Sequence, residues 1–287
     1  MTDYRPRRSV LYMPSSNARA LEKATTLACD GIIFDLEDAV APDAKETARA
    51  AACDTVRSGR YGRRELVIRV NADDTPWHAD DLAAAAAAGP DAILVPKVNS
   101  GDEVLALVAA LEAAGAPEMT RLWAMIETPA AILGAAQIAS ASPRLEVLVM
   151  GSNDLVKELR AEHVPGRAPI LTAMSLAVLG ARAADKVILD AVYNDVRDLD
   201  GFRQEAVQAR QLGFDGKSLV HPGQVGPANE VFAPDEAAID DARGVIEAWE
   251  AGAGSGVVTY QGRMVEALHV ETARRTLAVH EAILALG

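Results

Sequence analysis

The chain has 287 residues, half of them hydrophobic, which is enough apolar material for one large domain. Its 28 Lys and Arg against 41 Asp and Glu leave a net charge of −13, which argues against a general nucleic-acid or membrane-surface binder but leaves room for an anionic small ligand on a local basic patch. Two cysteines without metal-like spacing (Cys29 and Cys53), no run of about 18 apolar residues and no apolar h-region after the opening MTDYRPRRS together predict a reduced, cytoplasmic protein without a membrane span or signal peptide.

Eight β-rich runs follow one another: RSVLYMP (8–14), GIIFDLED (31–38), ELVIRVN (65–71), AILVPKV (92–98), RLWAMIET (121–128), EVLVMGSND (146–154), KVILDAVY (186–193) and GKSLVHP (216–222). Most are continuously apolar, as parallel strands covered on both faces should be. Ala-rich helical segments separate them. In DDLAAAAAAGPDA, Asp80 and Asp81 suit a helix N-terminus, and Gly89 with Pro90 stops the helix. Strands alternating with helices, roughly 30 residues per unit, predict an α/β chain folded as a (β/α)8 TIM barrel over residues 1–225, with a doubly wound sheet as the alternative. Residues 226–287 do not fit that repeat. PDEAAIDDARGVIEAWEAG (234–252) reads as a helix closed by Gly252, AGSGVVTYQGR as a Gly-rich loop, and the chain from Met264 as a second helix with Val270, Ala273, Leu277 and Leu284 on one stripe. This C-terminal helical extension is a lid, a subunit arm, or simple packing on its own barrel.

A TIM barrel carries its site at the C-terminal ends of the strands. There the sequence places Asp35, Glu37 and Asp38, then Arg69 and Asn71, Lys97, Glu127, Asn153 and Asp154, Asp190 and Asn194, and His221. Glu127 and Asp154 would end neighbouring strands, where two carboxylates repel unless a cation lies between them. Oxygen donors without a cysteine cluster favour a hard ion, Mg²⁺ first, with positions left for substrate oxygens and water. Helix caps or salt-bridge partners would put carboxylates at the same places. Arg69, inside an apolar strand, must face the mouth or a buried acid. It could hold a substrate carboxylate, steady an enolate oxygen, or pair with Glu37 or Asp38. His221 has no second histidine at metal spacing and reads as a packed or hydrogen-bonded residue as readily as a catalytic one. Trp123 and Trp249 read as packing.

The ordered set SVLYMPSSN, IIFDLEDAV, IRVN, LVPKV, MIET, GSNDL, VHPGQV and QGRMVE resembles the citrate lyase β-subunit-like family, which includes malyl-CoA and citramalyl-CoA lyases. The match runs from about Arg8 to the last helix. The resemblance implies a TIM barrel, commonly trimeric, with a Mg²⁺-dependent site (Mn²⁺ as the substitute) that makes or breaks a C–C bond in an acyl-CoA, yielding a small 2-keto acid and acetyl- or propionyl-CoA. It implies Glu127 and Asp154 as metal ligands and Arg69 as the arginine on the keto acid. Glu37 and Asp38 become acids near the metal waters, and the N–H groups of Gly151 and Ser152 contacts for the keto-acid carboxylate. Asn17, Arg19 and Lys23, in SSNARALEK, become contacts for coenzyme A phosphates. Arg19 and Lys23 equally suit an ordinary solvated helix face.

Two positions depart from the family pattern. Ser15 stands where glycine is usual. Glu266 stands where many members have the aspartate that a neighbouring subunit supplies as acid–base residue, implying a homo-oligomer, a trimer or hexamer. The Glu266 form with VEALHV resembles a malyl-CoA-processing branch that includes thioesterases. The leading expectation is therefore C–C cleavage or condensation of a malyl-like acyl-CoA. Thioester hydrolysis at the same site is the first alternative; no G-x-S-x-G elbow occurs to perform it by serine chemistry. A β-subunit role on an acyl-carrier protein is the second, and a non-enzymatic barrel would have to keep costly buried charges unused.

Overall fold

A computed structural model describes residues 4–252 and 256–286. Among these, eight parallel strands close into a barrel in chain order: β1 (Ser9–Pro14), β2 (Gly31–Asp35), β3 (Glu65–Arg69), β4 (Ala92–Val95), β5 (Arg121–Ile126), β6 (Leu145–Met150), β7 (Val187–Asp190) and β8 (Gly216–Leu219). Each lies within, or one residue beyond, the run read from sequence. The doubly wound alternative is thereby excluded, since β1 pairs with β8 through Ser9–Lys217, Val10–Ser218 and Leu11–Leu219.

Alternation along the strands divides two cores. Val10, Ile33, Val67, Leu94, Trp123, Val147, Val149 and Leu189 fill the barrel interior, while Leu11, Ile32, Phe34 and Ile68 are buried on the helix-covered face. The N-terminal end of the barrel is plugged by charge. Arg7 donates to both oxygens of Glu65 at 2.6 and 2.7 Å and to Glu146 at 2.7 Å, and its guanidinium lies 5.5 Å from the Trp123 ring centroid. The Ala-rich helix His78–Ala88 ends at Gly89 with φ 67°, the left-handed cap expected of that glycine. No described helix is long and apolar enough to cross a membrane.

The chain forms two compact units. One is the barrel, Arg7–Asn229, whose last residue is tied back into it: Ser9 Oγ donates to Asn229 Oδ1 at 2.6 Å and Asn229 Nδ2 donates to the Ala28 carbonyl at 2.8 Å. The other comprises residues 4–6 with the described residues from Glu230 onward. In it, helices Glu236–Ala251 and Ala267–Leu286 bury Ala242, Val245, Val265, Val270 and Ala273, with Trp249 and Leu277 packed against them.

Three expectations about this second unit are corrected. The glycine-rich loop is a hairpin, β9 (Val258–Tyr260) with β10 (Arg263–Val265), turned by Gln261 at φ 47° and Gly262 at φ 75°. Two successive positive φ values are what a two-residue primed turn requires; residues 253–255 of that run lie outside the described residues. The last helix starts at Ala267, because Met264 is committed to β10. Leu284 is exposed and leaves the buried stripe.

Barrel closure leaves one testable mark. A Cβ on Gly216 would stand 1.8 Å from the Arg7 carbonyl oxygen. Gly216→Ala should destabilise the chain by about 3 kcal/mol or more, read as a lowered urea midpoint; an unchanged midpoint would refute the close approach.

Candidate active site

The strand ends build the site in register. Asp35 closes β2 and Arg69 closes β3, and the two are direct neighbours across the parallel pair. Arg69 Nε and Nη2 donate to Asp35 Oδ1 and Oδ2 at 2.6 and 2.7 Å, a two-point fork, and Nη1 reaches Glu37 at 2.8 Å and Asp38 at 3.4 Å. Asp35 also accepts from the N–H groups of Glu37 and Ala39 at 2.9 and 3.0 Å. Burial would raise the Asp35 carboxyl, but Arg69 and these donors outweigh it and hold it below its ordinary value. Behind this turn Lys45 Nζ donates to the carbonyls of Leu36 and Glu37, both at 2.8 Å, and fixes the backbone that carries Glu37.

Glu127 follows β5 and is 3 % exposed. Its Oε1 accepts the Lys97 N–H at 2.9 Å. Lys97 holds a φ of 53°, a left-handed conformation that costs a side-chain-bearing residue energy and here turns that N–H toward the carboxylate. The next strand passes so closely that a Cβ on Gly151 would lie 2.4 Å from Glu127 Oε2; only glycine fits. Burial pushes the Glu127 carboxyl up, the Lys97 N–H opposes it and the charge of Asp154 adds to it, leaving it at about 7. Asp154 lies in the first turn of helix Ser152–Leu159, whose N-cap, Gly151, supplies no side-chain cap.

A cavity of about 290 Å³ joins these parts, lined by Tyr12, Asp35, Asp38, Arg69, Met125, Glu127, Gly151 to Asp154, Asn194 and others. Asn153 and Asn194 face each other across it and exchange amide hydrogen bonds at 3.3 and 2.8 Å. The structure therefore brings together Arg69, Asp38, Glu127, Gly151, Ser152 and Asp154, with Glu37 on Arg69. Among the described residues no three His, Cys, Asp or Glu gather as a metal cluster. Two carboxylates alone suit an ion that keeps most of its shell for water and substrate.

Other sequence expectations are corrected. Gly151 cannot offer its N–H to a ligand, because that N–H donates to the Ile126 carbonyl at 3.1 Å. The N–H groups of Ser152, Asn153 and Asp154, which open the helix, have no intrahelical partner and are the usable donors. Asn71, Asp190 and His221 do not join the mouth. Asn71 is buried with Lys45 and Asp81. Asp190 is enclosed by Arg167 and Lys217. The His221 ring accepts from the Gly223 N–H at 3.1 Å and caps a turn. Asn17 caps helix Ala18–Ala24 by accepting from the Ala20 N–H at 3.1 Å, and Lys23 sits in that helix's last turn rather than at its N-terminus. Arg19 and Lys23 remain exposed one turn apart. Ser15 is buried, and its Oγ meets no partner among the described residues. Glu266 belongs to the other unit, just ahead of helix Ala267–Leu286, with its N–H on His269 Nδ1 at 3.0 Å. Sequence reasoning missed the anchoring role of Asp35, which strand register reveals, and missed Tyr12 and Met125, whose apolar bodies hid them in their strands.

Residues 8–222 match the HpcH/HpaI aldolase/citrate lyase family. The chain belongs to that family. It is 49% identical over 284 residues to the (3S)-malyl-CoA thioesterase of Cereibacter sphaeroides, covering 98% of this chain and 97% of the relative. It is 38% identical to citrate lyase subunit beta of Escherichia coli, covering 96% and 93%. Among solved structures, CitE from Mycobacterium tuberculosis in complex with magnesium, acetoacetate and coenzyme A matches with a TM-score of 0.78 and 28% identity, over 96% of this chain and 98% of that one.

The acidic mouth makes a pH prediction. Burial pushes the Glu37 carboxyl from an ordinary 4.5 to about 8; Arg69 opposes this, and Asp38, Glu127 and Asp35 add to it. The folded chain thus keeps a proton that the unfolded chain loses, so the group's stabilising contribution is full below 4.5 and is lost as pH rises through about 8. In chelator, the Tm of Glu37→Gln should gain on the parent's from pH 5 to about pH 8 and level off above it; parallel Tm curves would refute the shift.

Proposed function

We propose that this chain is a Mg²⁺-dependent enzyme that hydrolyses the thioester of a short 3-hydroxyacyl-CoA carrying a second carboxylate. Malyl-CoA is the reference substrate, giving malate and coenzyme A. The observation that carries this choice is the 49% identity over nearly the whole chain with a (3S)-malyl-CoA thioesterase, against 38% with citrate lyase subunit beta.

The residues present fit the metal. Glu127 is buried with its Oε1 on a single backbone donor, and burial first, with the charge of Asp154 adding to it, pushes its carboxyl up, so a cation shared by the two would relieve both burial and repulsion. Glu127 and Asp154 would hold Mg²⁺, and Mn²⁺ would satisfy the same donors. When bound, the ion would supply Lewis-acid charge to the oxygens of the substrate's hydroxy-acid end. The chain's own groups do the rest. The open N–H groups of Ser152 and its successors take the terminal carboxylate at the helix N-terminus. Arg69, locked by Asp35, cannot swing away and holds Glu37 and the Tyr12 ring in place at the mouth. Asp38, exposed at the mouth, accepts the proton of the attacking water, and Glu37, whose carboxyl burial pushes up, delivers one to the leaving sulfur. Arg19 and Lys23 meet the phosphates of coenzyme A from one exposed helix face. Two free, buried cysteines suit a cytoplasmic setting.

A second reading, C–C cleavage to glyoxylate and acetyl-CoA, is favoured by the full-length match to citrate lyase subunit beta. It would use the same Arg69 and metal carboxylates, with Glu266 reaching the site of a neighbouring copy in a homotrimer or hexamer as acid–base residue.

Purified chain with Mg²⁺ and malyl-CoA separates the two. Free thiol and malate without glyoxylate is the expected result; glyoxylate with acetyl-CoA would replace hydrolysis by cleavage. Turnover by the isolated chain on the free CoA ester would also exclude a strict need for partner subunits. Independently of turnover, Mg²⁺ should raise the Tm of the parent. Gly151→Ala, which must displace Glu127, should raise the half-saturating Mg²⁺ concentration at least about tenfold. An unaltered Mg²⁺ response would remove Glu127 from the metal site.

A further inference from the structure

The cavity holds one donor that the reaction above leaves unused. Tyr12, in β1, lines it, and among the described residues its hydroxyl meets only Met125 Sδ, at 3.9 Å. A thioether is a weak acceptor, so this half-buried hydroxyl keeps its donor capacity for a better acceptor entering the cavity. The barrel offers nothing better: Asp35 is saturated by Arg69 and two backbone N–H groups, Glu37 is committed to Arg69, and Glu127 to Lys97 and the cleft against Gly151. The ring is also pinned. The Arg69 guanidinium lies 4.8 Å from its centroid, over the face, and Arg69 is itself fixed by the fork to Asp35. The hydroxyl is therefore positioned, underemployed and neutral. Burial pushes the phenol well above its ordinary range; the charge of Arg69 opposes this, and those of Asp35, Glu127 and Glu37 reinforce it.

A malyl-type thioester presents three kinds of oxygen. The charged carboxylate and the hydroxyl suit a cation and a helix N-terminus. The thioester carbonyl is the uncharged acceptor left over, and it alone gains negative charge during hydrolysis. We propose that the Tyr12 hydroxyl is a catalytic hydrogen-bond donor to the thioester carbonyl oxygen, strengthening its bond as that oxygen becomes anionic. The assignment rests on the hydrolytic reading given above. Water forms a C–O bond to the thioester carbon and gives its proton to Asp38, while the π pair of the carbonyl moves onto the oxygen facing Tyr12. When that pair returns, the C–S bond breaks and sulfur leaves with its electrons, taking the proton of Glu37. Asp38 and Glu37 then exchange protons with solvent. Tyr12 neither gains nor loses a proton. A neutral donor placed where charge develops acts on the transition state rather than on the bound substrate.

Tyr12→Phe tests this, because it keeps the ring under Arg69 and removes only the hydroxyl. With malyl-CoA and saturating Mg²⁺, kcat for thiol release should fall about 100-fold, with KM within threefold of the parent and the Mg²⁺-induced Tm rise unchanged. A kcat within twofold of the parent, a change confined to KM, or a lost Mg²⁺ response would each overturn the assignment while hydrolysis by the parent stood. Failure of the parent itself to release thiol would instead overturn the hydrolytic reading, and Tyr12's role with it.

Discussion

The pairing of Arg69 with Asp35 organises the mouth of the barrel. It needs no loop to form, because the two residues end adjacent strands in register. A guanidinium buried in an apolar strand would be prohibitively unstable alone, and the carboxylate beside it would be too. Together they make a rigid, nearly neutral unit, and the other features attach to it. Tyr12 lies under the guanidinium face, Glu37 takes Nη1, and the Leu36–Ala39 turn is set by Asp35 accepting the N–H groups of Glu37 and Ala39.

With Arg69 neutralised by Asp35, the remaining charges at the mouth are mostly negative. Asp38, Glu127 and Asp154 share the cavity, with Glu37 beside them, and Lys97 is a nearby cation whose ammonium Asp154, Glu37 and Glu127 hold charged against burial. Protons on Glu37 and Glu127 are one way to relieve that imbalance, and a divalent ion is another. Both follow from the same crowding of carboxylates in a poorly solvated cleft. This explains how a chain without a three-ligand metal cluster among its described residues belongs with proteins solved with magnesium.

Most of the fold could be read from the sequence because parallel strands buried on both faces announce themselves as unbroken apolar runs, each punctuated by a charge where the strand leaves the core. The site was legible for the same reason: Glu127 and Arg69 stand out against Ile126 and Ile68. What could not be read was direction. Asn71, Asp190 and His221 occupy equivalent positions in sequence, yet their side chains turn to Lys45, to Arg167 and Lys217, and to a local turn. Those partners come from elements 26, 23 and 27 residues away for the first two, a distance at which local patterning carries no signal. The β9–β10 hairpin was missed because three-residue strands are too short to show alternation. Gly151's occupied N–H is likewise a property of the neighbouring strand and not of GSNDL.

The closure of the barrel also dictates an order of assembly. β1 finds one neighbour in β2 almost at once, but its other edge pairs only with β8, and Ser9 bonds to Asn229, 220 residues later. During synthesis that edge stays unpaired until nearly four-fifths of the chain has emerged, a contact of very high sequence separation that makes folding slow. An open β edge with apolar faces is a template for pairing with other chains. The nascent protein therefore passes most of its time on the ribosome as an incomplete sheet, and its yield in the cell should depend more on chaperone protection of β1 than on the stability of the finished barrel.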